Sequence, residues 1–335
     1  MKKYVNLFVF VFMLGACLSQ GRAQTKSAVS YKNPVVDIAM PDPTVIKAAD
    51  GYFYVYATES TRNVPIMKSK DLVEWTYCNT AFTNKTRPRF EPKAGIWAPD
   101  INYINGKYVL YYAMSVWGGE QTCGIGVATA NSPQGPFTDH GKMFRSNEIG
   151  VQNSIDPSLL QYEGRNYLVW GSFRGIYVIE LTADGLSIMS GAKKKRIAGT
   201  AFEAVYIHKH GDYYYMFASI GSCCQGVKST YKVVVGRSKK VWGPYKDKTG
   251  KPMLKNGYSL VIGANDHFVG NGHGSQIIQD DAGQDWLLYH GFSRSTPENG
   301  RILLLDQIKW DHEGWPYVEG GSPSYETQKA PVFNN

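Results

Sequence analysis

The sequence predicts an all-β fold, namely a five-bladed β-propeller with four-stranded antiparallel blades around a central channel. Three observations lead to this prediction. The 335 residues include 35 Gly and 13% aromatic side chains, which is typical of short strands joined by tight turns. One short strand motif occurs five times along the chain. Further strand and turn patterns accompany each copy and fill a repeat of roughly 50–70 residues.

The repeated motif is a turn glycine followed by a run of aromatic and branched residues. The copies are GYFYVYAT at 51–58, GKYVLYYA at 106–113, GRNYLVWG at 164–171, GDYYYMFA at 211–218 and GQDWLLYH at 283–290. Another strand-forming run precedes each glycine, so each pair predicts a hairpin. Third strands are predicted near 123–128, 175–181 and 231–236. Residues 301–318, with an N-terminal strand near 31–38, should complete the fifth blade and close the ring without a free edge.

The N-terminus predicts a signal for export. Lys2 and Lys3 precede an apolar run at 5–14, which is too short to span a bilayer. Two cleavage positions compete. Small residues at 21 and 23 are compatible with cleavage after residue 23, so that 1–23 is a signal peptide and 24–335 a single propeller domain. LGAC at 14–17 resembles a lipobox, which would place a lipid anchor on Cys17, and the sequence slightly favours this second position. We expect a monomer exported from a bacterial cell, either periplasmic, extracellular or an outer-membrane lipoprotein.

Charge and cysteine content exclude two classes of function. The net charge of +8 falls to +5 when the signal is removed, and the remaining cations are scattered apart from a run at 193–196. A nucleic-acid partner is therefore not expected. No two cysteines have the spacing of a structural zinc site. For the adjacent Cys223 and Cys224, the sequence favours two buried thiols over a disulfide between neighbours.

Polar residues recur at the start of the first strand of each repeat. Because the innermost strand of a propeller blade lines the channel, these residues should gather at one mouth of it: Asp42, Asp100, Asp156, Glu203 and His273. Bringing carboxylates together is unfavourable, since one pKa must rise, and such a cluster indicates a chemical use. Two carboxylates across a sugar-sized gap are the acid and base that glycoside hydrolysis needs.

Aromatic residues lie near these acids in the sequence. Flat aromatic faces present large apolar surfaces, which suit the apolar face of a sugar ring. We therefore expect Trp97, Trp117 and Phe173 to bind substrate, together with Asp100, which follows Trp97 by three residues.

Five segments together resemble glycoside hydrolase family 43. They are MPDPTV at 40–45, WAPDI at 97–101, SIDPS at 154–158, FEAV at 202–205 and GHG at 272–274. The resemblance extends from about residue 33 to residue 317 and implies an enzyme that inverts the anomeric centre. It implies that Asp42 is the general base, Glu203 the general acid, and Asp156 a third carboxylate that orients the acid and raises its pKa. Inversion implies roughly 6.5–9.5 Å between acid and base.

Within the family, four segments are most similar to arabinanases: GSF at 171–173, SCCQG at 222–226, GRS at 236–238 and GNGH at 270–273. The similarity implies hydrolysis of α-1,5-linked L-arabinan in plant cell-wall polysaccharide. It also implies a calcium ion in the channel, faced by His273 and otherwise coordinated by water, because calcium prefers oxygen ligands. The alternative is that His273 only forms hydrogen bonds there. No organic cofactor is expected.

One residue departs from the arabinanase pattern. Arabinanases often carry His directly before the catalytic base, whereas this chain has Pro41, as β-xylosidase and α-L-arabinofuranosidase relatives do. The sequence therefore leaves an exo-acting α-L-arabinofuranosidase or β-xylosidase as the alternative to an endo-acting arabinanase. A third hypothesis is a carbohydrate-binding propeller without catalysis, against which the presence of all three carboxylates argues.

Overall fold

Five antiparallel sheets form the blades of a β-propeller, as predicted. The computed structural model describes Met1 and residues 29–334, so both cleavage hypotheses and Cys17 lie outside the described residues. Blade 1 consists of strands Thr44–Lys47, Phe53–Tyr56, Pro65–Ser69 and Trp75–Thr80. Blade 2 consists of Gly95–Ile104, Lys107–Ser115, Gly124–Ala130 and Thr138–Arg145. Within the part of the chain that is described, no helix is long and apolar enough to cross a membrane.

The remaining blades follow in chain order. Blade 3 consists of Ser158–Tyr162, Arg165–Trp170, Ile176–Glu180 and Lys195–Ala198. Blade 4 consists of Glu203–His210, Tyr213–Ile220, Lys232–Ser238 and Ser259–Ile262. The first strand of blade 5 is split into Phe268–Gly272 and Ile278–Gln279, and the blade continues with Asp285–Ser293, Ile302–Trp310 and Pro316–Tyr317. The helices are short: the α-helix Ser146–Ile149 and the 3₁₀ turns Gly226–Lys228, Met253–Lys255, Pro297–Asn299 and Glu319–Gly321.

The repeated glycine motif forms the second strand of each blade. Asn105 and Gly106 both have positive φ, as do Glu163 and Gly164, which is the geometry of a two-residue hairpin turn that glycine favours. The aromatic residues after each turn are buried between neighbouring blades. Five apolar clusters result, one at each blade–blade interface. The ring is therefore held together mainly by burial of apolar surface between blades.

The chain ends close the ring at blade 5. Val36 forms a bridge with Leu303, and the Asn33 side chain exchanges hydrogen bonds with the backbone of Leu305, each of 2.9 Å. Strand Ser30–Tyr31 pairs with strand Gln328–Lys329. The N-terminal segment thus contacts the edge of blade 5, as predicted, but it does so through one bridge and the Asn33 hydrogen bonds and not through a strand over 31–38.

In every blade, one residue other than glycine lies in the left-handed backbone region, either in the first strand or within two residues of it. These residues have φ between 43° and 56°: Asp42, Ala98, Asp156, Ala204 and His273. Such a conformation costs free energy for residues other than glycine, and it is concentrated at functional sites. Asp42, Ala98 and Asp156 are each next to a proline. Ala98 and Ala204 also lie where the pairing of the first and second strands shifts register. The repeated kink defines equivalent positions around one mouth of the channel.

Candidate active site

A cavity of about 660 Å³ opens at this mouth of the channel. All five blades contribute to its wall, and the three predicted carboxylates, Asp42, Asp156 and Glu203, lie in it together. Each is only 7–8% exposed. Asp42 and Asp156 occupy the left-handed position of their strands, and Glu203 directly precedes it. The kinks therefore bring acids that are far apart in sequence to a single small space.

Asp42 lies among positively charged groups. Its Oδ1 accepts a hydrogen bond from Arg301 Nη1 at 2.7 Å and is 3.3 Å from Nδ1 of His273. Although burial raises the pKa of Asp42, the charges of Arg301 and His273 hold it well below its usual range. Asp42 is consequently ionised at neutral pH, which is the form that can take a proton from water.

His290 supports Asp42 from the protein interior. Its Nδ1 accepts a hydrogen bond of 3.0 Å from the backbone N–H of Asp42, so that nitrogen carries no proton. Burial lowers the pKa of His290 to about 4, and the imidazole is neutral. The 3.3 Å contact between His290 Nδ1 and Asp42 Oδ1 is therefore not an ion pair. The role of His290 is to fix the backbone that carries the carboxylate.

Glu203 and Asp156 form a buried pair of acids. Ser172 Oγ donates a hydrogen bond of 2.6 Å to Glu203 Oε2, and the Tyr231 hydroxyl also hydrogen-bonds Glu203. Asp156 Oδ2 accepts from the backbone N–H of Ala204 at 3.0 Å. Burial and the neighbouring Asp156 raise the pKa of Glu203 to about 7, and burial raises the pKa of Asp156 to about 6. Glu203 can therefore hold a proton close to neutral pH.

His273 faces all three acids. Its backbone N–H donates to Ser219 Oγ at 2.8 Å. Although burial lowers the pKa of His273, the surrounding carboxylates, Asp42 first among them, raise it overall. A protonated His273 offsets part of the negative charge that the fold gathers here, so the cluster becomes less costly.

The three predicted aromatic residues all line the cavity: Trp97, Trp117 and Phe173. Trp97 and Trp117 lie against each other, with ring centroids 5.4 Å apart and planes tilted by 49°. Trp117 is 77% exposed, which is unusual for a large apolar side chain and marks a surface that can accept a ligand. The role of these rings in substrate binding stays a prediction.

Asp100 lies elsewhere than expected. It stands two residues beyond the left-handed Ala98, whereas Asp42 and Asp156 occupy that position themselves. Asp100 lines a separate, much smaller cavity inside the channel. Its carboxylate accepts hydrogen bonds of 2.8, 2.7 and 2.6 Å from Leu159 N, Gln276 Nε2 and Asn102 Nδ2. The structure therefore does not bring Asp100 to the residues predicted to bind substrate with it, and its visible role is to join the inner strands.

The comparison with known proteins decides the family. Residues 31–316 match the family described as "Glycosyl hydrolases family 43". The chain belongs to this family. It is a glycoside hydrolase, and the fold and the resemblance inferred from the sequence are confirmed.

Similar proteins fall on both sides of the endo–exo division. The family 43 chain is 36% identical over 306 residues to the extracellular exo-alpha-(1->5)-L-arabinofuranosidase ArbA of Cellvibrio japonicus, covering 83% of this chain and 86% of that protein. It is also 36% identical over 289 residues to the extracellular endo-alpha-(1->5)-L-arabinanase 1 of Bacillus subtilis, covering 82% and 86%. Among solved structures, Cellvibrio cellulosa alpha-L-arabinanase complexed with arabinohexaose superposes with a TM-score of 0.77, at 34% identity over 86% of this chain and 98% of that one.

The interpretation of the adjacent cysteines was wrong. Cys223 and Cys224 form a disulfide with each other, and Cys224 is exposed. The sequence favoured two buried thiols in a strand or bend. The pair does lie in a bend, in the loop after strand Tyr213–Ile220, where the two side chains are not held on opposite faces as they would be in a strand.

Several site residues of this family 43 enzyme were not predicted: Arg301, His290, Ser172 and Tyr231. Ser172 lies inside the arabinanase-like segment 171–173, so a signal for it existed, whereas Tyr231 lies five residues beyond 222–226. Nothing in the sequence marked Arg301 and His290 as neighbours of Asp42. Arg301 directly precedes the third strand of blade 5 and His290 lies in its second strand, 259 and 248 positions from Asp42.

The side chains near His273 do not provide the set of oxygen ligands that the expected calcium ion would need. Calcium takes six to eight oxygen ligands, whereas His273 offers only nitrogen and already contacts Asp42. The oxygens of Asp100, the acid inside the channel, are taken by hydrogen bonds. These donors do not fit a calcium ion held by the protein itself, and no step below uses one. The calcium ion and the absence of an organic cofactor stay predictions.

Among the described residues, one other group of side chains could hold a metal. Ligand atoms of His208, His210 and Asp285 lie within 4.8 Å of one another. His208 and His210 stand at the far end of the strand that begins with Glu203, roughly 15–25 Å away at the usual rise per residue. The Asp285 carboxylate already accepts a hydrogen bond of 2.7 Å from Trp310 Nε1. This group is remote from the acids and takes no part in their chemistry.

The surroundings push the pKa values of two of the acids apart. The charges of Arg301 and His273 hold the pKa of Asp42 well below its usual range, and burial and Asp156 raise the pKa of Glu203 to about 7. Two titratable groups whose surroundings push their pKa values apart form an acid–base pair. In the cavity, the ionised carboxylate can take a proton from water while the protonated one gives a proton to a departing oxygen.

Proposed function

We propose that the enzyme hydrolyses α-1,5-linked L-arabinan with inversion of the anomeric centre, and that it is endo-acting and cleaves bonds within the polysaccharide. The observation that carries the acid–base part of this proposal is that one cavity holds Asp42 against the Arg301 guanidinium and Glu203 beside the Asp156 carboxyl. It is supported by the resemblance of 171–173 and 222–226 to arabinanases and by the endo-arabinanase relative from Bacillus subtilis.

The residues have three distinct roles in the proposed reaction. Asp42 takes a proton from the water that attacks the anomeric carbon, and Arg301 keeps Asp42 ionised for this task. Glu203 gives its proton to the glycosidic oxygen as the bond breaks. Asp156 orients Glu203 and raises its pKa. In each cycle Asp42 gains one proton from the attacking water and Glu203 loses one to the departing oxygen. Proton exchange with solvent then returns both carboxyl groups to their starting states.

The alternative is an exo-acting α-L-arabinofuranosidase or β-xylosidase with the same chemistry. Pro41 and the exo-acting Cellvibrio japonicus relative favour it. The two activities differ in the shape of the cavity: an open groove accepts several sugar units on the non-reducing side of the scissile bond, whereas a closed pocket accepts only the terminal unit. A non-catalytic carbohydrate-binding propeller has no comparable support, since all three carboxylates line the cavity.

We further propose that the enzyme is exported and acts on plant cell-wall polysaccharide. The charged and apolar N-terminal run favours export from a bacterial cell, and two relatives are named as extracellular enzymes. The substrate is plant cell-wall arabinan or its oligosaccharides. A lipid anchor on Cys17 would keep the monomer at a membrane surface.

Product analysis on linear α-1,5-arabinan tests the proposal. The proposed endo action releases a mixture of oligosaccharides in the first minutes, and only later shorter products. Arabinose as the sole early product would show exo action instead. Proton NMR of the first product measures the anomer, and retention of configuration would contradict inversion. Parallel assays on arabinoxylan and aryl β-xyloside decide whether the sugar is arabinose.

A further inference from the structure

A loop of blade 4 presents a disulfide to the cavity. Residues 221–231 connect strands Tyr213–Ile220 and Lys232–Ser238. Within this loop, Cys223 and Cys224 are bonded to each other and line the cavity. Cys224 is exposed and Cys223 half-buried. The acid–base chemistry has no use for these sulfurs, although they face the space that the substrate must enter.

The loop is held in one conformation by its own hydrogen bonds. The carbonyl of Ser222 accepts from the backbone N–H groups of Thr230 at 3.0 Å and Tyr231 at 3.1 Å. The N–H of Ser222 donates to Thr230 Oγ1 at 3.0 Å, and that of Gln225 donates to Ser229 Oγ at 2.9 Å. A surface fixed in this way loses little conformational freedom when a ligand binds to it.

The loop ends beside the general acid. Tyr231 hydrogen-bonds Glu203, and its ring stacks on His290 with centroids 5.6 Å apart. The acid gives its proton to the oxygen of the departing sugar, so that sugar must lie on the Glu203 side of the bond. The disulfide, carried by the same blade as Glu203, therefore borders the leaving-group half of the cavity.

The two apolar surfaces of the cavity stand on different blades. Trp97 and Trp117 belong to blade 2, and blade 3 with Phe173 separates them from the disulfide on blade 4. The disulfide has no hydrogen-bond donor, and its sulfur atoms are polarisable, as in other apolar sulfur contacts. Such a surface suits the C–H face of a sugar ring better than its hydroxyl edge.

We propose that the Cys223–Cys224 disulfide is a binding surface for the sugar unit on the leaving-group side of the scissile bond. This proposal rests on the proposed function, because it assigns one sugar of an arabinan chain to a place in the same cavity. Reduction of the disulfide would loosen that surface without touching the acids.

The test compares two substrates that differ only on the leaving-group side. The values of kcat/KM are measured for the wild type and for Cys223→Ser/Cys224→Ser on an α-1,5-arabino-oligosaccharide and on methyl α-L-arabinofuranoside, whose leaving group is not a sugar but still needs the proton of Glu203. The double variant should lose about tenfold on the oligosaccharide, as expected for an apolar contact of roughly 50 Å², and nothing on the methyl glycoside. The matched control is Cys78→Ser, a half-buried free cysteine of blade 1, which should change neither value.

The outcomes separate a binding surface from a structural link. An equal loss on both substrates, or full activity on the oligosaccharide, overturns the proposal. Reducing the wild type with dithiothreitol and reoxidising it repeats the comparison without any substitution, and the selective loss should appear and then reverse. Failure of the proposed function is recognised separately, as a wild type that does not cleave arabino-oligosaccharides. In that case the same comparison on the oligosaccharide that it does cleave decides the role of the disulfide.

Discussion

Buried carboxylates occupy two places along the same channel, and their neighbours differ. At the mouth, Asp42 contacts Arg301, and Glu203 lies beside Asp156 in a cavity open to substrate. Inside the channel, Asp100 is surrounded by neutral donors in a small cavity. Burial raises the pKa of both Asp100 and Asp156 to about 6, yet only Asp156 belongs to the cluster in the open cavity.

The difference shows that a raised pKa does not identify a catalytic acid. Asp100 has its pKa raised by burial, but hydrogen bonds from backbone and amide groups satisfy its oxygens. The acids at the mouth are distinguished by charged neighbours and by access to the cavity. If this account is right, substitutions at the mouth should change activity, and substitutions inside the channel should change stability.

The largest effect is expected for Asp42→Asn. The amide has nearly the same shape, but it cannot take a proton from water. We expect kcat/KM on arabinan to fall by about 10²–10⁴-fold, the usual contribution of a general base, with the folded structure retained by circular dichroism. The matched control is Asp100→Asn, which should keep kcat/KM within about threefold because Asp100 lies outside the cavity. Equal losses in the two variants would contradict the distinction between the two places.

A smaller effect, which depends on pH, is expected for Arg301→Met. Arg301 lowers the pKa of Asp42, and Asp42 must be ionised to act. Without this charge the pKa of Asp42 rises, so the acidic limb of kcat/KM moves to higher pH. A rise of one pKa unit lowers activity by up to about tenfold at pH values below the pKa of Asp42, and the loss should shrink as the pH rises and be small at pH 7. Arg301→Lys keeps the charge and should keep most of the wild-type profile; an unshifted acidic limb in Arg301→Met would show that Arg301 does not tune Asp42.

The smallest change in activity is expected for Asp100→Ala, whose effect falls on stability. Removing the carboxylate leaves buried donors on Leu159 and Gln276 without an acceptor. The free energy of unfolding in urea should decrease by about 1–3 kcal/mol, while kcat/KM on arabinan changes less than twofold at a temperature where the variant is folded. Unchanged stability would mean that Asp100 does not join the inner strands.

Sequence reasoning succeeded where the fold repeats itself. The five glycine–aromatic runs predicted the second strand of every blade, because turn glycines and buried aromatic residues are local requirements of a hairpin. The same repeats placed Asp42, Asp156 and Glu203 around one mouth. They misplaced Asp100, because equivalent positions are defined by the left-handed backbone, where blade 2 has Ala98. The nearest acid in the sequence was not the equivalent residue.

The contacts that tune the acids could not be predicted from the sequence. Arg301 and His290 reach Asp42 only because the last blade closes the ring beside the first. No local sequence pattern indicates which side chains of blade 5 contact blade 1. The Cys223–Cys224 disulfide depends in the same way on the loop conformation, because a bend can either join two adjacent sulfurs or keep them apart, and the sequence does not show which.

The central claim is that Glu203 acts as an acid that is protonated near neutral pH. The most direct measurement is the pH dependence of kcat/KM for the wild type and Glu203→Gln, on arabinan and on dinitrophenyl α-L-arabinofuranoside, whose leaving group needs no proton. The wild type on arabinan should lose activity as pH rises through about 7, where Glu203 ionises. Glu203→Gln should lose about 10²–10⁴-fold on arabinan but far less on the aryl glycoside, and its profile should lack the alkaline limb. An alkaline limb that persists in Glu203→Gln, or equal losses on both substrates, would contradict the account.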